Sequence, residues 1–124
     1  DAAQRGDSLV VHDDGEQVRC FAHVDDVVRA VATLVETPTA AGRVYNIGSD
    51  VPVSILELAN RVIARVNPQA VIEFQTYSDA YDDSFEDIRR RVPDLSRIRA
   101  AIDYVPTKDL DAIIDSVAAS TRGS

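Results

Sequence analysis

Apolar residues recur at helical spacing in two long segments of the chain. In the first, they fall on one face of a helix that ends at Thr37-Pro38. These residues are Val24, Val27, Val28, Val31, Leu34 and Val35. In the second, Ser54 and Glu57 form a capping box, and Asn67-Pro68 ends the helix. Two shorter helices are predicted, with caps at Asp94 and Thr107.

Short apolar runs between these helices predict four to five strands. They cover residues 9–11, 18–22, 43–47 and 71–74. Asp13-Asp14-Gly15 lies between the first two runs, and an Asp-Gly pair there predicts that they form a hairpin. The pattern is therefore typical of an α/β fold, a small mixed domain of about four helices and four to five short strands. Without an internal repeat or a long linker, we expect one domain over residues 1–120 and a frayed tail over residues 121–124.

The composition argues against several classes of function. Of the 124 residues 45% are hydrophobic, as in a folded domain, and no apolar run approaches the ~18–20 residues of a membrane span. The net charge of −8 argues against binding to nucleic acid or to an anionic membrane, since both require a basic surface. The single Cys20 rules out a disulfide within the chain and is typical of a cytoplasmic protein.

Two separated groups of arginines are prominent in this acidic chain. Arg19 lies in the middle of a predicted strand, and Arg89, Arg90 and Arg91 precede Pro93. A guanidinium group gives paired, charge-assisted hydrogen bonds to phosphate oxygens, so two such sites predict a clamp for a diphosphate. The alternative for Arg19 is an exposed ion pair with a nearby acidic side chain, which contributes only ~0–1 kcal/mol. We expect Arg89 to be solvated.

Other polar residues each have a structural and a functional interpretation. Asn46 either hydrogen-bonds a nucleotide or braces the turn at Gly48, and the second is favoured. Asp25 and Asp26 resemble a pair of acid/base carboxylates, but their position favours a capping role at a helix start. Cys20 has no base near it in the sequence, so we expect a small buried residue rather than a nucleophile.

The remaining candidates do not predict a metal site. His12 and His23 are far in sequence from other ligand types, and the acidic run at residues 82–87 lacks the spacing of a calcium loop. We therefore expect His23 to be packed or half-exposed, and the acidic run to be a solvated loop. Tyr77 and Tyr81 either stack on a base or sugar or pack within that loop.

Five motifs occur in the order in which one family carries them. They are GDSLVVHDDG at 6–15, QVRCF at 17–21, VDDV at 24–27, NIGS with SILEL within 46–58, and RVPDLSR at 91–97. Together they resemble the C-terminal part of the extended short-chain dehydrogenase/reductases, the NAD-dependent sugar-nucleotide epimerases and dehydratases. The resemblance covers nearly the whole chain. It implies the substrate-binding part of that fold without its N-terminal Rossmann motif.

The resemblance also implies roles for particular residues. Arg19 and one later arginine, Arg91 before Arg90, would bind the diphosphate of a nucleotide sugar, and Asn46 is a further candidate for substrate binding. In the family, NAD transiently oxidises a sugar hydroxyl, and the glycine-rich NAD motif and the catalytic Tyr-x-x-x-Lys lie in the N-terminal half. Neither pattern occurs in this sequence, so we expect the chain alone to bind no NAD, to hold no catalytic residue and to be inactive.

The resemblance implies a UDP-glucose 4-epimerase-like activity for the intact protein, with a UDP-sugar-acid decarboxylase as the nearest alternative. A non-catalytic binding or assembly module of the same fold is the alternative from another class. The expected partners are a nucleotide-diphosphate sugar, the missing N-terminal Rossmann half and a second copy of the chain. Self-association is expected because the helix from Val24 and the strand ending at Ile47 pack on that half in the family, and would otherwise expose apolar surface.

Overall fold

A computed structural model describes residues 1–76 and 89–122. Its α-helices are α1 (Ala2–Arg5), α2 (Val24–Val35), α3 (Ile55–Val66), α4 (Ser96–Ala101) and α5 (Leu110–Arg122), with a 3₁₀ turn at Pro38–Ala40. Its strands are β1 (Leu9–His12), β2 (Val18–Arg19), β3 (Val53–Ser54) and β4 (Ile72–Gln75). The predicted α/β fold class is confirmed. Residues 77–88, which include Tyr77, Tyr81 and the acidic run, lie outside the described residues, as do residues 123–124 of the predicted tail.

The strands form two small sheets, and the predicted hairpin is wrong. β1 pairs in parallel with β4, from Leu9 opposite Ile72 to His12 opposite Gln75, whereas β2 pairs antiparallel with β3. The turn after β1 bonds to the start of α3 instead of closing a ladder. The carbonyl groups of Gly15 and Gln17 accept hydrogen bonds from the first amides of α3 at 2.9 and 3.0 Å. Those amides have no partner within the helix, so the turn satisfies them.

Residues 43–47 were predicted as a strand, but they belong to no β-ladder of the described residues. The alternation that motivated the prediction is nevertheless present in three dimensions. Tyr45 and Ile47 pack against the core, while Val44 points outward and is 75% exposed. The segment therefore has the side-chain pattern of a strand without a neighbouring strand to pair with.

The helix caps agree in part with the sequence. The Ser54 hydroxyl accepts a hydrogen bond from the Glu57 amide at 3.0 Å, as the capping box predicts, and Asp94 accepts from the Ser96 amide at 2.9 Å. Thr107 was the predicted cap of the last helix, and this was wrong. The carboxylate of Asp109 serves that helix instead, because it accepts from an amide of the first turn at 2.8 Å.

The hydrophobic core lies between α2, α4 and the extended segment that follows the 3₁₀ turn. Its fully buried members are Ala30, Leu95, Ile98 and Tyr104, and Ile98 has no exposed surface. The other side of the domain is held by ion pairs between α3 and α5, where Arg65 forms two hydrogen bonds to the Asp115 carboxylate. The core fixes α4, and with it the segment at residues 89–95 that leads into the helix.

Candidate functional site

The fold brings together the two groups of arginines that the sequence separates. The amide of Val18, in β2, donates to the Arg89 carbonyl at 2.6 Å, and the Arg91 amide donates to the Val18 carbonyl at 3.0 Å. Val18 therefore forms a parallel bridge with Arg90. Because side chains alternate along extended chains, Arg19 and Arg91 leave the bridge on the same side.

Arg19 and Arg91 also meet at one oxygen atom. The Arg19 guanidinium donates to the Val18 carbonyl at 2.8 Å, and the same carbonyl accepts the Arg91 amide. The Arg19 head group thus lies against the backbone of the second arginine group. Arg19 is half-buried, whereas Arg90 and Arg91 are exposed. The arrangement presents Arg19 and Arg91 on one side of the bridge, and Arg90, opposite Val18, leaves on the other side.

Arg89 is exposed, as expected for a solvated residue, but it is also paired. Its two terminal nitrogens each lie 3.1 Å from a different oxygen of the Asp14 carboxylate. The hydrogen bonds from Arg89, together with one from the Glu16 amide, hold the pKa of Asp14 below its ordinary value. This pair anchors residue 89 to the turn after β1, and it leaves Arg19, Arg90 and Arg91 as the candidates for binding an anion.

Asn46 does not brace the turn at Gly48. Its amide group donates to the Asp94 carbonyl at 3.2 Å, and the Gly48 carbonyl accepts a hydrogen bond from the buried Tyr104 hydroxyl instead. Burial is the main reason why the pKa of Tyr104 is raised, so the phenol stays protonated and keeps donating. Asn46 thus holds the segment that joins the arginine group to α4, while its role as a substrate ligand stays a prediction.

Asp26 is a tertiary clamp rather than a cap of its own helix. Its side chain is fully buried. It accepts hydrogen bonds from the Thr107 amide and hydroxyl at 3.0 and 2.8 Å, from the Lys108 amide at 3.1 Å, and from Arg29 at 2.9 Å. Desolvation raises the pKa of the carboxyl group, but these bonds outweigh it and lower the pKa to about 2. The cap of α2 is His23.

His23, Ser116 and Asp25 resemble a hydrolase triad that the sequence did not reveal. The Nε2 atom of His23 lies 2.9 Å from the Ser116 hydroxyl, and Nδ1 lies 3.6 Å from the Asp25 carboxylate. However, the Asp25 amide donates to Nδ1 at 3.0 Å. Nδ1 therefore carries the lone pair and Nε2 the hydrogen, so the ring donates to Ser116 and cannot take its proton. The histidine is packed, as expected, and ties α2 to α5.

Cys20 has the properties of an unreactive thiol. The thiol group donates to the Arg91 carbonyl at 3.7 Å. Burial, and then the charge of Asp50, raise the pKa of Cys20, and only Arg90 opposes them. A thiol whose pKa is raised is a poor nucleophile near neutral pH. Cys20 therefore supports the contact between β2 and the arginine group and is not a catalytic residue.

A cleft that the sequence did not predict opens next to this region. Its volume is about 460 Å³, and Phe21, two residues after Arg19, forms part of its wall. An ion pair of 2.9 Å between Arg99 and Asp50 lies in the same wall, and Thr107 and Lys108 close the far side. The cleft is within the size range of small-molecule sites. Sequence motifs could not reveal it, because its walls come from four distant segments.

The described residues contain no cluster of potential metal ligands. In residues 1–76 and 89–122 no three His, Cys, Asp or Glu side chains group as metal ligands. α2 and α3 begin after His23 and Ser54, and neither start is a glycine-rich turn. No helix in the same residues is long and apolar enough to cross a membrane.

Comparison with known proteins identifies the family. The model described as "NAD dependent epimerase/dehydratase family" matches residues 1–48. The UDP-N-acetyl-alpha-D-glucosaminuronate decarboxylase of Bacillus cytotoxicus is 32% identical over 105 residues, which are 85% of this chain and 32% of that protein. The chain belongs to the NAD-dependent epimerase/dehydratase family. The prediction from the five motifs is confirmed.

Other members of the family agree with this assignment. The UDP-D-apiose/UDP-D-xylose synthase 1 of Arabidopsis thaliana is 28% identical over 121 residues, covering 90% of this chain and 31% of that protein. The fold matches the UDP-glucose 4-epimerase of Thermotoga maritima, solved with UDP-glucose, with a TM-score of 0.84 at 21% identity. That match covers 98% of this chain and 37% of the epimerase. The chain spans about a third of the length of the curated relatives that it matches.

Proposed function

We propose that this chain binds the diphosphate of a nucleotide sugar through Arg19 and Arg91, with Arg90 as the alternative to Arg91. The chain would form the substrate side, the C-terminal part, of an NAD-dependent sugar-nucleotide epimerase or dehydratase. The observation that supports this is that the Arg19 guanidinium and the Arg91 backbone amide donate to the same Val18 carbonyl, although the two residues are far apart in the sequence.

The geometry is suited to a diphosphate for an electrostatic reason. A diphosphate presents two adjacent charged groups, and each guanidinium group can give paired hydrogen bonds to one of them. The chain carries a net charge of −8, so a dianion approaches only where cations outnumber carboxylates locally. Among the described residues, 89–91 supply three cations, and the Asp14 carboxylate pairs with one of them, Arg89.

Hydride transfer would need residues beyond those described in this chain. The relatives are about three times longer than the matched region, which is consistent with a parent protein whose other part binds NAD. In that arrangement the chain holds the nucleotide sugar while another part carries out the redox step. We propose that the protein is cytoplasmic, because a lone cysteine is typical of proteins in that compartment.

A decarboxylase of UDP-sugar acids is the second candidate for the parent protein. The 32% identical relative from Bacillus cytotoxicus is a UDP-N-acetyl-alpha-D-glucosaminuronate decarboxylase, and UDP-glucuronic acid decarboxylases of Arabidopsis thaliana match at 30%. These identities exceed those of the epimerases matched by structure, at 21% and 22%. The diphosphate site proposed here is common to both activities, since both act on a nucleotide sugar.

Removing either arginine is expected to weaken binding of nucleotide sugars. Each charge-assisted hydrogen bond contributes about 1.5–3 kcal/mol, so Arg19→Ala and Arg91→Ala should each weaken UDP-glucose or UDP-glucuronic acid about 10- to 100-fold. Isothermal titration of the protein with each ligand measures this directly. Uridine, which has no phosphate, should bind the wild type and the variants equally weakly.

The matched control for this experiment is Arg5→Ala. Arg5 lies on α1, is well exposed and pairs only locally with Asp1 and Asp7 in the described structure. Its removal changes the net charge by the same amount and should leave the affinity within about twofold. If Arg5→Ala weakens binding as much as Arg19→Ala, the loss of affinity is caused by the change in net charge, and the proposed diphosphate site is wrong. If UDP-sugars do not bind at all, the alternative of a non-catalytic assembly module is favoured.

Self-association through α2 is the second proposal, and it rests on an exposed apolar stripe. Four valines follow one another at intervals of one turn along α2 and form this stripe. They are Val24 (65% exposed), Val28 (60%), Val31 (45%) and Val35 (81%). The neighbouring face of the helix packs on the core through Ala30 and Leu34. An exposed apolar stripe of this kind is typical of an interaction surface, and we propose a second copy of the chain as its partner.

Sedimentation velocity tests this proposal. The wild type should form dimers at high concentration. The double variant Val28→Ser, Val31→Ser should have a dimer dissociation constant about tenfold higher or more, because the substitutions remove apolar surface from the interface. The control is Val117→Ser, a change of similar exposure on α5 outside the stripe. A wild type that stays monomeric at high concentration, or a Val117 variant that dissociates equally, contradicts the proposal.

A further inference from the structure

A groove between residues 39–45 and α4 has a lining with only positive charge among the described residues. Its volume is about 620 Å³. Arg43 and Arg97 provide the charge, and Val44, Ala100 and Ala101 provide apolar surface. The chain carries 21 acidic and 13 basic residues. A cavity lined by two arginines and no carboxylate therefore has a charge opposite in sign to the net charge of the chain.

Arg43 and Arg97 also differ from most other arginines in their contacts. Among the described residues, six other arginines lie within 4 Å of a carboxylate, namely Arg5, Arg29, Arg61, Arg65, Arg89 and Arg99. In the part of the chain that the structure describes, Arg43 and Arg97 form no such pair. Both residues are exposed and line the groove. Hydrogen bonds from Ser96, and then the charge of Arg97, help to lower the pKa of Asp94, although the charged groups of Arg97 and Asp94 do not lie within 4 Å of each other.

We infer that this groove binds a phosphate monoester of a small polar molecule. A phosphoryl group has three acceptor oxygens and close to two charges, so it can accept from both guanidinium groups. A carboxylate has two oxygens and is satisfied by one guanidinium fork. The volume lies within the range of small-molecule sites, and Val44, Ala100 and Ala101 offer apolar contact to the organic part of the ligand.

An adjoining cavity extends the groove and indicates the polarity of the ligand. It has a volume of about 140 Å³ and shares Val44 and Arg97 with the larger groove. Its other lining residues are Asn46 and Ser96, whose side chains provide amide and hydroxyl groups, and Asp94, which provides a carboxylate. Arg97 thus lies between a cationic groove and a small polar cavity. A hydroxyl-bearing group attached to the phosphate would extend into the latter.

This site is separate from the diphosphate site proposed above. Arg19 and Arg91 line neither of the two cavities. The two proposals therefore depend on different residues and can fail independently.

An NMR titration of the 15N-labelled full chain with glucose 1-phosphate, at constant ionic strength, tests the inference. Amide shifts should change at residues 42–45 and 97–101, with saturable binding. The control Arg5→Gln, on α1 and outside both proposed sites, should leave this binding unchanged, whereas Arg43→Gln and Arg97→Gln should each weaken it about fivefold or more. Both positions are exposed, so the glutamine variants should fold, and circular dichroism checks this.

Glucuronate and inorganic phosphate define the specificity in the same titration. Inorganic phosphate should shift the same amides more weakly than glucose 1-phosphate, and glucuronate should bind at least fivefold more weakly than either. The inference is overturned if the shifts appear at residues 18–19 and 89–91, if glucuronate binds equally well, or if no saturable shift occurs. Loss of UDP-glucose binding in Arg19→Ala with glucose 1-phosphate binding retained would support both proposals at once.

Discussion

Replacing Asp26 by asparagine is expected to lower the free energy of unfolding by about 3 kcal/mol at pH 7. The carboxylate is fully buried and accepts four hydrogen bonds, three of them from Thr107 and Lys108. Asparagine has a similar size but one acceptor oxygen, so its amide group would face the Lys108 amide, donor against donor. For a domain of this length the melting temperature should fall by about 10 °C, measured by thermal denaturation.

The stabilisation by Asp26 should disappear in acid, and the sign follows from its lowered pKa. The ordinary pKa is 3.8, and it is about 2 in the folded chain. A carboxyl group whose pKa is lowered on folding stabilises the protein above its unfolded value, and the effect is lost as the pH falls towards the folded value. The difference corresponds to about 2 kcal/mol. Urea denaturation should thus show wild type and Asp26→Asn converging between pH 5 and pH 2.

Asp25→Asn is the matched control for Asp26→Asn. Asp25 is the neighbouring residue on α2, its side chain is 72% exposed, and it contributes to the helix start mainly through its charge. Its replacement should cost less than about 1 kcal/mol. If the two variants were equally stable, or if the difference between wild type and Asp26→Asn persisted at pH 2, the buried clamp would not be the source of stability.

Replacing Gly15 by alanine should destabilise the fold by a similar amount, for two separate reasons. Gly15 has a φ of 72°, a left-handed conformation that costs a residue with a Cβ about 1 kcal/mol. The added Cβ would also lie 2.8 Å from Val11 Cγ1 and 2.9 Å from Leu56 Cβ. The latter is fixed by the start of α3, so the contact cannot relax freely, and overpacking adds about 1–3 kcal/mol. We expect about 3 kcal/mol in total, measured by urea denaturation.

Gly6→Ala separates the two causes. Gly6 also has a left-handed φ, of 80°, but a Cβ there would meet no atom within 4 Å. This variant should lose only the conformational part, about 1 kcal/mol. Equal losses for the two glycines would show that the close approach of the turn to α3 contributes nothing.

Local signals in the sequence predicted the helices well because their causes lie within one or two turns of chain. The cap at Ser54 and the stops at Thr37-Pro38 and Asn67-Pro68 act on their own backbone, and α2 and α3 begin and end close to them. The turn at Gly15 was also recognised from local residues. Its consequence was not, because the sequence could not show that its carbonyl groups would bond to α3 rather than close a hairpin.

Some features of the candidate site could likewise be predicted from local sequence, whereas others could be seen only in the tertiary structure. The sequence by itself determined the family, through five ordered motifs, and the residue types suited to phosphate, at Arg19 and Arg91. Only the tertiary structure decided which arginine is neutralised by Asp14, where Asp26 finds its partners, and that Arg43 and Arg97 share a groove. The reason is that a hydrogen bond or ion pair between distant residues depends on how the whole chain packs, and no residue near either partner encodes it.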